Sequence, residues 1–344
     1  MRRQQLGHNA SVARWIALLA SLTLTASCAA ADGTVDGAGI ASDGGVLFVA
    51  NKQENSLSRI ALDTGRETVR VSSCANPHEL ALSPDQTHVA LGCYGRNGVE
   101  IFRTSDLSRV KLIELGEGVR PHGLVWHSDG RLIASAEGRG SVFVVEQPLA
   151  PAPRVTEIPA VEGGPHLVAV SADGGTAWGT AIRSGEVVRV DLARGAVTHR
   201  RRIGGETEAI ALAPDESSLW IGANAADRLY QLDPETLEVK AQIATGATPI
   251  RVAVSPDGKH VVTSNLGDGS ISVFEAEGGR LVRTIPVSGS ADAGQVTIAF
   301  SPDGGRVYVA ETFANTVAEM DFASGEVVRR FSAGRGGDGL AVTR

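Results

Sequence analysis

A chain of 344 residues with 42% hydrophobic content is long enough to bury a large core and too apolar to stay disordered. Its 39 acidic against 32 basic side chains give a net charge of −7, so a phosphate backbone is repelled overall and no nucleic-acid partner is expected. With 41 glycines, 14 prolines and 4% aromatics, the composition points to many short strands joined by tight turns rather than a few long helices.

In chain order, the first 28 residues stand apart. Arg2, Arg3 and Arg14 appear without any acid, followed by the apolar run from Trp15 to Leu24 and small residues up to Cys28. This is the pattern of a secretory signal peptide, and the run is too short to span a hydrocarbon core of ~30 Å. Leu24-Thr25-Ala26-Ser27-Cys28 resembles a lipobox, which predicts a lipidated Cys28 as the mature N-terminus. Ala29-Ala30-Ala31 offers an alternative cleavage site that would release a soluble periplasmic protein. The expected location is therefore the periplasm or the outer membrane, with membrane contact only through an N-terminal lipid anchor. Removing residues 1–27 takes three arginines and no carboxylate, leaving 29 basic against 39 acidic side chains, a net charge of −10. Residues 29–35 read as a short linker, and no later segment looks membrane-spanning.

From residue 36 to residue 344 one phrase recurs: a short apolar strand, a Ser-Pro-Asp-Gly-like turn and a second apolar strand. The turn aspartates are Asp43, Asp85, Asp129, Asp173, Asp215, Asp257 and Asp303, spaced by 42, 44, 44, 42, 42 and 46 residues. In the last unit Val296–Phe300, Arg306–Ala310, Thr316–Asp321 and Glu326–Phe331 form four strand-like runs rich in Val and aromatic residues. Four strands per unit of this length describe a propeller blade. The sequence thus predicts an all-β fold: a seven-bladed β-propeller with four antiparallel strands per blade in a single domain. Gly337 to Val342 matches the innermost strand of the other units and has no turn or second strand after it. That orphan strand predicts ring closure onto the N-terminal blade, with Asp36–Ile40 as a competitor for the same slot.

Arg306-Val307-Tyr308-Val309-Ala310-Glu311 and Val46-Leu47-Phe48-Val49-Ala50-Asn51, each after its Asp-Gly turn, resemble the repeats of YVTN, YncE-like β-propellers over essentially all of residues 36–344. Relatives with this repeat style include lactonases, lyases and copper-enzyme propeller domains, so the resemblance implies an architecture more narrowly than an activity. A WD40 signature is absent, since none of the four tryptophans occupies a recurring Trp-Asp strand end.

Equivalent positions on successive inner strands form a ring around a propeller axis. Seven residues before the turn aspartates stand His78, His122, His166, Glu208, Ile250 and Val296, and the closing strand offers Asp338. Three imidazoles and a carboxylate on one side of this ring suit a transition metal, copper or zinc, or acid–base chemistry near neutral pH. Eight residues after the turn aspartates, Glu137 and Glu311 open onto the same face as further acidic candidates. Cys74 and Cys93 bracket that rim on the second blade and are expected to pair as a disulfide in an oxidising compartment. Arg200-Arg201-Arg202 reads as solvated surface.

Two functional readings follow. The favoured one is an envelope binding or scaffold protein, a monomer, holding a metal, a small ligand or an envelope protein partner at the histidine-rich mouth. The alternative is a lactonase-like hydrolase or lyase with His122 or His166 as general base and Glu208 as acid or metal ligand. No phosphate-binding glycine loop, nucleophile elbow or Cys-x-x-Cys pair accompanies either.

Overall fold

The computed structural model describes residues 44–343. The signal peptide, Cys28, the linker, the Asp36–Ile40 segment and Asp43 lie outside the described residues. The described residues form seven four-stranded antiparallel sheets with almost no helix, a seven-bladed β-propeller. Among them, no helix is long and apolar enough to cross a membrane.

Blades 2 to 7 each start on the axis with an inner strand, turn through an aspartate and run outward through three more strands. The inner strands of blades 2 to 7 are Pro77–Leu82, Pro121–Trp126, Val168–Val170, Thr207–Leu212, Pro249–Val254 and Gln295–Phe300. In blade 1 the inner place is taken by Gly337–Val342, which pairs antiparallel with Val46–Asn51. The C-terminal strand therefore closes the ring, and the slot for which Asp36–Ile40 competes is filled.

The recurring aspartate has a local cause. In blades 2, 4 and 6 the serine hydroxyls of Ser83, Ser171 and Ser255 donate to the carboxylates of Asp85, Asp173 and Asp257 at 2.6 Å. Each carboxylate also accepts the backbone N–H two residues on, from Thr87, Gly175 and Lys259. The turn is thus closed by its own side chains, and these bonds hold the Asp85 carboxyl down at about 2.

Alternation along each strand sends apolar side chains to both faces of a blade, so every blade packs against two neighbours. The buried residues accordingly fall into seven clusters, one per blade interface. Blades 5 and 6 meet through Trp220, Val261 and Phe274. Blades 7 and 1 meet through Tyr308, Phe331, Leu47 and Ile60. No interface is left open.

Candidate functional site

The inner strands do not begin as regular ladders. In blades 2, 3, 5, 6 and 7 the pairing with the second strand shifts just after the first residue, for example between Pro77 and Leu80 and between Pro249 and Arg251. Such bulges re-aim consecutive side chains. In blade 4 the strand begins only at Val168, because Gly163, Gly164 and Pro165 carry the chain in. His166 there accepts at its carbonyl from Gly123 N–H and from the Ser135 hydroxyl at 2.6 Å, while its own N–H donates to Thr180 at 2.6 Å. A Cβ on Gly123 would stand 2.9 Å from both Ser135 Oγ and Val168 N. Glycine after His122 therefore lets the inner strands of blades 3 and 4 approach closely.

The structure brings six of the sequence-predicted residues together. The rings of His78 and His122 lie 4.6 Å apart, and those of His122 and His166 lie 3.8 Å apart. His166 Nδ1 bonds Glu137, and His166 Nε2 lies 3.1 Å from Glu208 Oε1. The latter is an ion-pair contact whose angle falls outside hydrogen-bond geometry. His78 Nε2 lies 4.0 Å from Asp338. Glu311 is not part of this group: Arg330 and Thr316 of its own blade hold both carboxylate oxygens. Cys74 and Cys93 form a disulfide with Cα atoms 5.6 Å apart.

Five participants are absent from the sequence-derived ring. Arg251 of blade 6 donates from Nη1 to Glu208 at 2.8 Å and from Nη2 to Glu79 of blade 2 at 2.9 Å. Blades 2 and 6 stand nearly opposite in a ring of seven, so this guanidinium bridges the channel. Lys52 lies 3.3 Å from Asp338. Tyr94 packs beside His78, donates its hydroxyl to Glu137 at 2.6 Å and carries the Arg120 guanidinium over its ring. Glu79, Arg251 and Lys52 each lie one place beyond an expected inward position. A charged residue in an otherwise apolar inner strand is the signal that finds the first two.

Burial and charge divide the histidines. Burial pushes His122 well below the usual imidazole range, and the neighbouring His166, His78 and Arg251 add to it. His78 is also lowered by burial, against the pull of Asp338. Burial would lower His166 too, but Glu137 and Glu208 on its two nitrogens outweigh it and raise the imidazole. Burial works against the Glu208 carboxylate, yet His166 and Arg251 hold the carboxyl down at about 2. Glu208 is therefore ionised at neutral pH, held between Arg251 and His166. The two carboxylates thus favour the charged form of His166, opposite to the effect of burial on His122.

The donor set does not fit a resident metal. Glu208 already accepts from Arg251 and Asn224, His166 is clamped between carboxylates, and a buried guanidinium stands in the channel beside them. Among the described residues, the set of three Cys, His or carboxylate donor atoms within 4.8 Å of one another is Cys74, Cys93 and Glu100. Its sulfurs are tied in the disulfide. Among the buried atoms at the mouth without a hydrogen-bond partner are His122 Nδ1, Asp338 Oδ1 and Arg251 Nε, with Asn224 Oδ1 and the ion-paired His166 Nε2.

Fold and site together define a seven-bladed β-propeller with a charged, histidine-lined channel mouth. The chain belongs to the YncE-like β-propeller family, whose model matches residues 8–343. Similar solved structures include the hydrazine synthase of Kuenenia stuttgartiensis, at 16% identity over 78% of this chain and 95% of that chain, with a TM-score of 0.68. A functionally unknown protein from Desulfotomaculum acetoxidans DSM 771 matches at 15% identity over 87% of this chain and 99% of that chain, with a TM-score of 0.73. At these identities the likeness carries the fold and no activity. No curated protein gives a significant match.

Proposed function

We propose that this protein is an exported envelope binding module that holds a small polar organic ligand at the channel mouth. The observation that carries the reading is His122, 3% exposed, whose Nδ1 has no partner. An unsatisfied buried polar atom costs about 1–3 kcal/mol, so such atoms mark places where a further polar group belongs. Asp338 Oδ1 is an acceptor and Arg251 Nε–H a donor, so the complementary ligand carries both kinds of group. The N-terminal signal pattern and the Cys74–Cys93 disulfide support an oxidising, extracytoplasmic location.

Native mass spectrometry and elemental analysis of protein isolated from envelope fractions test this reading. The expected result is a bound non-metal adduct that is lost in His122→Ala, with no stoichiometric copper or zinc. A stoichiometric metal lost in His78→Ala and His122→Ala would overturn it, and so would a wild-type protein carrying neither adduct nor metal. Cys28→Ser is expected to move the protein from the membrane to the soluble fraction. Persistence in the membrane would refute the lipid tether.

A hydrolase or lyase reading has one observation in its favour. The His122 and His166 rings lie 3.8 Å apart and their basicities are pushed in opposite directions, His122 down and His166 up, as in acid–base pairs. Turnover of a lactone panel that disappears in both His122→Ala and His166→Asn would favour it over binding alone.

A further inference from the structure

A groove of about 700 Å³ lies at the boundary of blades 3 and 4, beside the histidine cluster. Its charged lining is Arg120, Arg139, Arg183 and Arg200 against Glu137 and Glu162. On a chain with net charge −7, four guanidinium groups around one concavity form a local reversal of sign. Neither acid cancels it fully. Glu137 is already bound by His166 and Tyr94, and Glu162 is a single exposed carboxylate.

The arginines differ in what holds them. Arg139 is bonded to Glu157 at 3.1 and 2.8 Å. Arg120 lies over the Tyr94 ring, 4.3 Å from its centroid, which fixes the guanidinium at the inner end of the groove. The Arg183 and Arg200 side chains are exposed and make no hydrogen bond or ion pair among the described residues. Arg200 belongs to the outer strand Ala196–Arg202, where its side chain faces this wall rather than open solvent alone.

The walls are preformed. Ala160 and Val161 donate their N–H groups to the Gly140 carbonyl at 2.8 and 2.9 Å, and Gly138 donates to Val119 at 3.0 Å. Gly164 packs so tightly on the Glu137 backbone that a Cβ there would collide with it. Between the arginines the lining is apolar: Pro159, Ala160, Val161 and Ile182. A concave site with an apolar floor and a few convergent polar groups is the form of a small-molecule pocket. Guanidinium forks match carboxylate and phosphate geometry.

We propose that this groove binds a small organic anion, a carboxylate or a phosphate monoester, between Arg183 and Arg200 with Arg120 at its inner end. The site is distinct from the channel mouth, which it meets through Glu137 and through Arg120 on Tyr94; its unpaired arginines, Arg183 and Arg200, contact no histidine.

Calorimetric titration at low salt with citrate, glucose 6-phosphate and inorganic phosphate tests the assignment. Binding of citrate or glucose 6-phosphate is expected, weakened about tenfold or more in Arg183→Ala/Arg200→Ala and falling as salt rises. Citrate alone would identify a carboxylate site, and glucose 6-phosphate alone a phosphate-ester site. Arg194→Ala, removing an exposed arginine paired with Asp191, is expected to bind like the wild type. Because the Arg183 and Arg200 side chains are exposed and make no hydrogen bonds, truncating them to alanine leaves the fold intact, which circular dichroism checks. Absence of binding by all three probes, binding of inorganic phosphate only, or equal affinity in the double variant would overturn the proposal. His122→Ala leaves this binding unchanged, so failure at the channel mouth and failure at the groove are read separately.

Discussion

Removing the guanidinium of Arg251 would leave Glu79 and Glu208 facing the channel with no cation between them. Arg251 is 6% exposed, and losing one partner of a buried ion pair typically costs about 3–5 kcal/mol. Arg251→Met is expected to lower stability by about that amount in urea denaturation, and to return the Glu208 carboxyl toward its ordinary value. A loss below about 1 kcal/mol, the range of surface pairs, would mean the carboxylates are not held as described. The histidines make a second prediction. His122 has a folded pKa below its unfolded value near 6.5, so the unfolded chain binds the extra proton. Its contribution is fully present above that value and is lost as pH falls. His166 has the opposite sign: its raised pKa stabilises fully below 6.5, and that contribution fades as pH rises through the folded value. His122→Asn is therefore expected to flatten the stability loss between about pH 7 and pH 5, measured by urea midpoints. An unchanged acid slope would show that His122 is not buried neutral. The three histidines and Glu208 were legible in the sequence because all occupy one register, fixed by the turn aspartates, and Asp338 because the closing strand matches the other inner strands. Arg251 and Glu79 were not, because strict alternation assigns them to the blade interface. The shift after Pro249 and after Pro77 brings them to the channel instead.

At the level of strands and turns, the marker aspartates could be read in advance because each of the six among the described residues closes its turn through bonds set by neighbouring residues. What pattern alone could not show is where an inner strand loses its ladder. Blade 4 has the histidine but only a three-residue strand, Val168–Val170, since His166 spends its backbone on blade 3 and on Thr180. The second blade carries a covalent device at the matching place. Cys74, in the loop that leads to His78, is joined to Cys93 at the end of the second strand, 19 residues on. Closing a loop of this size stabilises by about 3 kcal/mol in the chain-entropy model. The Cys74→Ala/Cys93→Ala variant is expected to lose about that much in urea denaturation and to loosen the path into His78. Equal midpoints for the variant and the wild type would show that the bond adds nothing to the fold. Both cysteines are buried, so mild reductant is expected to act only after local opening.

Over the whole molecule, stability depends on a ring in which each blade has two neighbours and no sheet face is left bare. The closing strand Gly337–Val342 serves that ring twice. It completes blade 1 by pairing with Leu47, Phe48 and Val49, and it places Asp338 between His78 and Lys52. Deleting residues 337–344 would expose a sheet edge and the inner faces of blades 1 and 7 together. The truncated chain is expected to lose cooperative unfolding and to aggregate or pair with a second copy. A rearranged chain separates loss of mass from loss of closure. The Val46 N–H donates to Thr343 Oγ1 at 2.9 Å, and the Thr343 N–H donates to the Val46 carbonyl at 3.0 Å. Residues 337–343 can therefore be moved ahead of Gly44 through a short turn, as in the other six blades. That permuted chain keeps every strand in its sheet and is expected to unfold cooperatively near the wild-type midpoint. If the truncated chain instead unfolds as cooperatively as the intact one, closure by the C-terminal strand is not what holds the ring. If the permuted chain fails where the intact one folds, the order of synthesis matters more than the completed sheet.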